Sequence, residues 1–388
     1  MADYLVQLGS PVWLAYSGVA IVQCVILLSI MMGFAATFTW MERKVSGRIQ
    51  DRLGPTRVGG RFGWLQSPAD GIKLLCKEDL MPEGADAILF RLAPYISFCA
   101  SFCVFLALPF SNGWVAQQLN VAVFFILAVA GLEVFGVITA GYSSASKWSL
   151  YGAMREAAQV VSYEVPLGMC ALLPVMVAGT LDLVEIGNAQ QGWGINWMIF
   201  HSPFMFITFF IYVTCAVAST NRAPFDLAEA ESELVAGFLT EYSGFRWSVF
   251  FMAEYGSMVA VSGLGAILFL GGWYGPIPVA ELLGLTHSNH AILGWLGELL
   301  GACNFLLKAF LGVTFMMWLR WTLPRLRIDQ VMTTCLKYCV PLAAAMFVGV
   351  MLWTYAFPDG ILSRMTPTPA ATEASTHIAF DAMGGDQS

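Results

Sequence analysis

Apolar and polar positions alternate along this chain in long blocks. No charged residue occurs between Asp3 and Glu42, and within that interval Leu14 to Met41 forms a run of 28 residues. As a helix the run is about 42 Å long, which crosses a hydrocarbon core of about 30 Å with tilt to spare. Further apolar runs lie at about 92–110, 121–142, 157–179, 204–221, 247–272, 297–319 and 331–357. The polar segments 42–91, 143–156, 222–246 and 320–330 carry nine, two, two and three lysines and arginines, 16 of the chain's 19. The segments between spans 2–3, 4–5 and 6–7 carry none. Basic residues stay on the cytoplasmic side of a membrane, so this alternation predicts both termini outside. The sequence therefore predicts an all-α integral membrane protein of about eight transmembrane helices, with a large cytoplasmic platform between helices 1 and 2. Residues 1–357 form one transmembrane domain in this reading, with the platform at 42–91 and an acidic cytoplasmic loop at 222–246. Residues 358–388, with Pro367, Pro369 and the run Ala370–Ser375, read as a flexible tail.

Composition narrows the class further. The chain is 58% hydrophobic and 12% charged, about half the charged share of a soluble domain. A net charge of −7 argues against nucleic acid, which wants a basic face. The nine cysteines form no C-x-x-C pair, so zinc or iron–sulfur ligation is not expected, and they read as small buried hydrophobes. The N-terminus lacks the basic residues of a secretory signal, and its apolar run is too long for one. There is no G-x-G-x-x-G, no P-loop and no histidine pair. Redox chemistry must then be delivered by partner chains.

Three constellations could carry chemistry. The first is buried charge: Glu133 in span 3, Glu164 in span 4, Glu254 near the cytoplasmic end of span 6, and Lys308 in span 7. Each charge costs at least about 2.5–3.5 kcal/mol at a helix centre. Such groups form structural ion pairs or a proton relay, and three carboxylates plus a lysine on four helices favour the relay. Carboxyl groups removed from water exchange protons nearer neutral pH. Glu156 lies eight residues before Glu164, about 80° around the helix and 12 Å along it. Pro166 removes a helical hydrogen bond beside Glu164 and makes room for water.

The second is the acidic run Asp226, Glu229, Glu231 and Glu233 after Asn221-Arg222-Ala223-Pro224-Phe225. Asp226, Glu229 and Glu233 share a helical face, and the run reads as a funnel at the mouth of the relay rather than a plain solvated loop. The oxygen count would allow calcium, but the spacing is not that of an EF-hand. The third is the platform, with Glu42, Arg43, Lys44, Arg48, Arg52, Arg57 and Arg61 beside Trp40, Phe62 and Trp64. Contact with lipid headgroups explains most of the basic residues. A groove for an amphiphile with a polar head and an isoprenoid tail would use the charges and the aromatics together. Within the platform, Ser67-Pro68-Ala69-Asp70 reads as a capped helix start, opening a short surface helix through Ile72, Leu74, Leu75 and Lys77.

These regions resemble one family. Glu42-Arg43-Lys44-Val45-Ser46-Gly47-Arg48-Ile49-Gln50, then Arg52-Leu53-Gly54-Pro55, looks like the opening motif of the H subunit of NADH-quinone oxidoreductase, also called mitochondrial subunit 1. The segments Leu65 to Leu74, Val161 to Leu167, Asn221 to Tyr255 and Pro324 to Gln330 are similar to that family in the same order, so the likeness covers roughly 14–355. Some relatives carry a glutamate where this chain has Ser219.

The resemblance implies a membrane subunit of respiratory complex I, a proton-translocating NADH:quinone oxidoreductase with quinone (ubiquinone or a relative) as substrate. No covalent cofactor, metal or Fe–S cluster would sit on this chain. Glu42, Arg43, Arg52, Asp70, Phe225, Asp226 and Arg246 would line or border the quinone tunnel. Glu133, Glu156, Glu164, Glu229, Glu231, Glu233 and Glu254 would form the acidic proton relay. Partners would be hydrophilic quinone-site and Fe–S subunits that take electrons from NADH, antiporter-like membrane subunits and membrane lipids. The bacterial inner membrane is the expected location, with the mitochondrial inner membrane as alternative. Two other functions stay open: the anchoring subunit of a related membrane-bound hydrogenase complex, and a stand-alone ion carrier.

Overall fold

A computed structural model describes residues 11–227, 235–279 and 291–357. The expected tail and the relay candidates Glu229, Glu231 and Glu233 lie outside these residues. Among those described, every regular element is helical. In chain order they are α1 (Val12–Ile49), α2 (Gln66–Cys76), α3 (Ala87–Ala107), α4 (Ala122–Gly131), α5 (Glu133–Ser143) and α6 (Lys147–Ala178). Then come α7 (Leu183–Asn188), α8 (Pro203–Ser219), α9 (Gly244–Phe269), α10 (Ala291–Thr322), α11 (Ile328–Thr333) and α12 (Val340–Ala356).

The chain is an all-α multi-pass membrane protein. Among the described residues, seven stretches are long and apolar enough to span a bilayer: α1, α3, α4 with α5, α6, α9, α10, and α11 through α12. The expected fifth span is the shorter α8 of 17 residues, about 26 Å long against a core of about 30 Å. Its start is set by Ser202, whose hydroxyl accepts from the Met205 amide, and by Pro203 in the first turn. Loop contacts sort the ends into two groups. The Asp86 amide bonds the Ser143 carbonyl, the Leu326 amide bonds the Pro224 carbonyl, and Arg246 pairs with Asp79 at 2.7 Å, all on the basic side. The Gly113 amide bonds Glu298, the Gly194 amide bonds the Pro276 carbonyl, and Asn188 bonds Asn112, all on the opposite side.

Lipid gives helices no hydrophobic reason to associate, so close approach and buried polar contacts must do so. A Cβ on Gly136 of α5 would stand 2.7 Å from the Ser97 nitrogen of α3, and one on Gly141 would stand 2.3 Å from the Ala153 side chain of α6. Helix α9 is the most enclosed, with 67% of its apolar window buried against 17% for α1. Helices α1, α3, α8 and α10 all pack on it.

Two spans are not the uniform helices that their hydrophobicity predicts. The third tightens at Leu132, where the Leu132 amide bonds the Val129 carbonyl and the Phe135 amide bonds the Leu132 carbonyl. Glu133 opens the helix beyond this turn. The last passes through a π-helical turn at Thr334–Cys339 before Pro341 in the first turn of α12; proline supplies no amide, and the turn absorbs the interruption. The platform helix also starts earlier than its motif predicts. Leu65 is its N-cap, while the Ser67 hydroxyl donates to the Ala36 carbonyl of α1 at 2.8 Å instead of capping. None of its residues is buried within the chain, as expected for a surface helix.

Lys308 holds the opposite side together. Its ammonium donates to the carbonyls of Gly272 at 2.9 Å, Tyr274 at 2.6 Å and Leu270, and lies 4.4 Å over the Trp197 ring. All three of its donors are used on the chain just beyond the C-terminal end of α9, where a cation is favoured. The lysine expected in the relay is thus a helix-end lock. Lys308→Met strands these carbonyls at a cost of about 3 kcal/mol. The midpoint of thermal unfolding in detergent should fall, and an unchanged midpoint would rule out the lock.

Candidate functional site

The buried charges converge near the basic end of the helix pack. Glu42 lies on α1, in the last turns before its end at Ile49, and is 7% exposed. Arg222 follows α8 at a tight turn and is 2% exposed. One terminal nitrogen of Arg222 donates to both Glu42 oxygens at 3.1 Å. Its Nε forms an ion pair with Glu254 of α9 at 2.7 Å, and its guanidinium lies 4.7 Å over the Tyr255 ring. Arg320 from α10 adds a 2.6 Å bond to Glu42, and the Tyr255 hydroxyl donates to the second Glu42 oxygen. Two arginines thus offset two carboxylates, with Arg222 and Glu42 buried and Arg320 and Glu254 partly exposed, so the buried charges are paired.

Beyond Glu254 opens a cavity of about 160 Å³, lined by Glu133, Glu156, Glu164 and Glu254 together with Ser97, Ser101, Ser219, Asn221 and Ser257. Its apolar wall includes Ile126, Val160, Leu167 and Leu264. That volume has room for several waters, and the carboxylates, hydroxyls and amide offer them partners. Glu133 accepts from Ser257 at 2.6 Å and from Ser97 at 3.4 Å. Glu156 accepts from Asn221 at 2.6 Å. The Glu164 carboxylate lies against Gly131, where a Cβ would stand 3.2 Å from its oxygen, so the glycine at the end of α4 leaves the carboxylate room beside the cavity. Among the described residues, lysine or arginine forms an ion pair with Glu254 but with neither Glu133 nor Glu164.

The expected relay members therefore separate cleanly. Glu133, Glu156, Glu164 and Glu254 share one cavity; Lys308 sits apart at the other end of α9. The polar companions that complete the site went unmarked in the sequence: Arg222, Arg320, Tyr255, Ser97, Ser257 and Asn221. A hint was available for Arg222, an arginine directly after an apolar span that must find an anion. The serines carry no comparable signal.

The residues expected along the quinone tunnel fall into separate contacts. Arg43 pairs with Asp70, which also accepts from Lys73 at 3.2 Å and Gln66 at 3.4 Å. Arg52 donates to Gln50 at 2.7 Å. Phe225 packs on Tyr163 with ring centres 5.4 Å apart, and Asp226 pairs with Arg325 at 3.2 Å. Arg246 pairs with Asp79 and lies 5.5 Å over Phe90. Glu42 belongs to the Arg222 cluster. The platform aromatics do gather: Trp40 stacks on Trp64 at 4.7 Å, Phe62 meets Trp64 edge-on, and the Trp40 indole donates to the Phe62 carbonyl. Phe62 and Trp64 are both 60% exposed, so an apolar surface stands beside the Arg43–Asp70 pair.

Of the cysteines, Cys170, Cys215, Cys335 and Cys339 are buried as expected, whereas Cys24, Cys76, Cys99 and Cys303 are exposed on this chain. Among the described residues, no group of three or more histidine, cysteine, aspartate or glutamate side chains is placed to hold a metal.

Burial raises the Asp70 carboxyl, but bonds from Arg43 and Lys73 outweigh it and hold it below the usual aspartate value. A group lowered in the native state stabilises above its unfolded pKa and stops doing so as pH falls through the native one. Acidification below about pH 4 should release α2 from α1. Hydrogen exchange at Gln66–Cys76, corrected for intrinsic rate, should then rise in the native protein and not in Asp70→Asn. Equal pH dependence in both would reject the link.

Comparison with known proteins adds to this geometry. The family model described as NADH dehydrogenase matches residues 22–351. A protein of Chlorobium luteolum, named as the H subunit of NADH-quinone oxidoreductase, is 45% identical over 344 residues, covering 88% of this chain and 90% of that one. Proteins of the same name are 43% identical in Anaeromyxobacter dehalogenans, over 86% of this chain and 82% of that one, and 46% identical in Geobacillus thermodenitrificans, over 82% and 89%.

Proposed function

We propose that this chain, which belongs to the family of the NADH-quinone oxidoreductase H subunit, forms part of the quinone-binding tunnel of such an assembly and couples quinone reduction to proton translocation through its buried carboxylates. Family membership makes it a membrane subunit of an oxidoreductase. The coupling role rests on one observation: four carboxylates from three helices line a single cavity, and one of them, Glu254, is tied through Arg222 to Glu42 on the platform side.

The chemistry asked of this chain is electrostatic. The exposed Phe62 and Trp64 suit the apolar part of a quinone, and the Arg43–Asp70 pair beside them suits its polar head. NADH oxidation and the iron–sulfur relay belong to hydrophilic partner chains in this reading, and onward proton movement belongs to antiporter-like membrane partners. A charge that appears near Glu42 competes for Arg222, and Arg222 is also the counter-ion of Glu254. Two unit charges 4 Å apart interact by about 4 kcal/mol at an effective dielectric near 20. One pKa unit corresponds to about 1.4 kcal/mol, so rearranging one such pair suffices to move a proton within the cavity. Glu133, Glu156, Glu164 and Glu254 then titrate as one coupled set. The bacterial inner membrane is the proposed location, in keeping with the bacterial sources of the relatives.

Glu164→Gln and Glu254→Gln should each lower coupled NADH:quinone reduction and proton uptake at least about tenfold in native membrane vesicles, the scale of a lost proton-transfer group. Near-normal pumping in both variants would sink the proposal.

A further inference from the structure

The turn that ends α8 is built around Asn221. Its φ of 51° lies in the left-handed region, which asparagine tolerates better than most residues. The amides of Thr220, Asn221 and Arg222 bond back to the carbonyls of Ala216, Ala218 and Val217. The consecutive side chains thereby reach different carboxylates: Asn221 Nδ2 donates to Glu156 Oε1 at 2.6 Å, and Arg222 pairs with Glu254 at 2.7 Å. Gln159, 1% exposed, supports the turn from behind, its Nε2 donating to the Ala218 carbonyl at 2.8 Å and to Asn221 Oδ1 at 3.0 Å. The Gln159 donor on its oxygen and the Glu156 acceptor on its nitrogen fix the orientation of the Asn221 amide. A residue needed only for the turn could be glycine. Here the amide also belongs to a buried network that ends on a cavity carboxylate.

We propose that Asn221 is a positioning residue for proton exchange at Glu156: its amide, anchored by Gln159, holds this carboxylate at the cavity wall, and the same turn joins it to the Arg222–Glu254 pair. The inference rests on the coupling role proposed above for the cavity. Among the described residues, the charged groups that line the cavity with Glu156 are Glu133 of α5, Glu164 of α6 and Glu254 of α9, with Arg222 behind Glu254. Helix α4, the turn at Gly237–Leu239 and the end of α8 contribute only apolar side chains, Ser219, Thr220 and Asn221 to the lining.

An exchange of acid and amide across the 2.6 Å bond tests the proposal in the intact assembly, reconstituted in vesicles and assayed for quinone reduction and proton uptake across pH. Asn221→Asp places two carboxyls within hydrogen-bond distance, where they share one proton, so the pH profile should shift by about one unit and coupled turnover should fall about tenfold. Glu156→Gln should also lower turnover and alter the profile. Glu156→Gln with Asn221→Asp restores one acid and one amide with their places exchanged, and should recover to within about threefold of the parent rate. If Asn221→Asp fails to assemble, Asn221→Gly keeps the left-handed turn and removes the amide, and its profile should shift as well. A purely structural role would change the amount of assembled complex and leave the profile where it was. Unshifted profiles with full coupling in the Asn221 and Glu156 variants overturn the inference. If Glu164→Gln and Glu254→Gln lose coupling in the same assays, the cavity keeps its role while Asn221 loses its own; if they do not, both readings fall.

Discussion

The ion-paired guanidinium of Arg222 is the contact on which the rest of the charged architecture depends. It lies almost wholly out of water and satisfies carboxylates on two helices, Glu42 on α1 and Glu254 on α9. Removing either partner would leave charge stranded at a depth where desolvation costs several kcal/mol per ion. The planar fork of arginine matters here, because one side chain must present donors in two directions while its face covers the Tyr255 ring. Lysine could not meet all three demands. With Arg320 also on Glu42, one cluster ties together α1, α9, α10 and the chain leaving α8.

Around that cluster, small residues and local departures from α-helix determine where polar groups can go. Gly136 and Gly141 let α5 approach α3 and α6 closely, which brings Glu133 to Ser97, while Ser257 reaches it from α9. The tightened turn at Leu132 separates two apolar helices, and Glu133 stands where the second begins. The cavity therefore arises from how these backbones fit together, with Glu133 held by serines, Glu156 by asparagine and Glu254 by arginine. Lys308 does the complementary task at the far end of α9, where it closes the exposed carbonyls.

The helical membrane architecture was legible because hydrophobic period and the placement of lysine and arginine are one-dimensional signals. The long spans follow the apolar runs, and the basic segments meet one another on one side, as Arg325 with Asp226 and Arg246 with Asp79 show. The membrane glutamates were legible for a related reason, since charge inside an apolar run is conspicuous. Their pairing was not. Arg222 and Glu42 are 180 residues apart in sequence, and only the packed helices bring them together. Lys308 was misread because a buried lysine suggests a carboxylate partner, whereas backbone carbonyls beyond a helix end leave no mark in side-chain composition. Ser67 misled in the same way: serine followed by proline is a good cap pattern, but the nearby Ala36 carbonyl of α1 claims its hydroxyl. The shortness of α8 and the π-helical turn before α12 depend on local geometry that hydrophobicity does not encode.

Helix α1 runs unbroken for 38 residues, about 57 Å, nearly twice the thickness of the hydrocarbon layer. A rod of that length stands proud of the bilayer and carries Glu42 inside the protein at the same time. No proline interrupts it between the two levels, so the protruding end and the Glu42 carboxylate belong to one continuous helix.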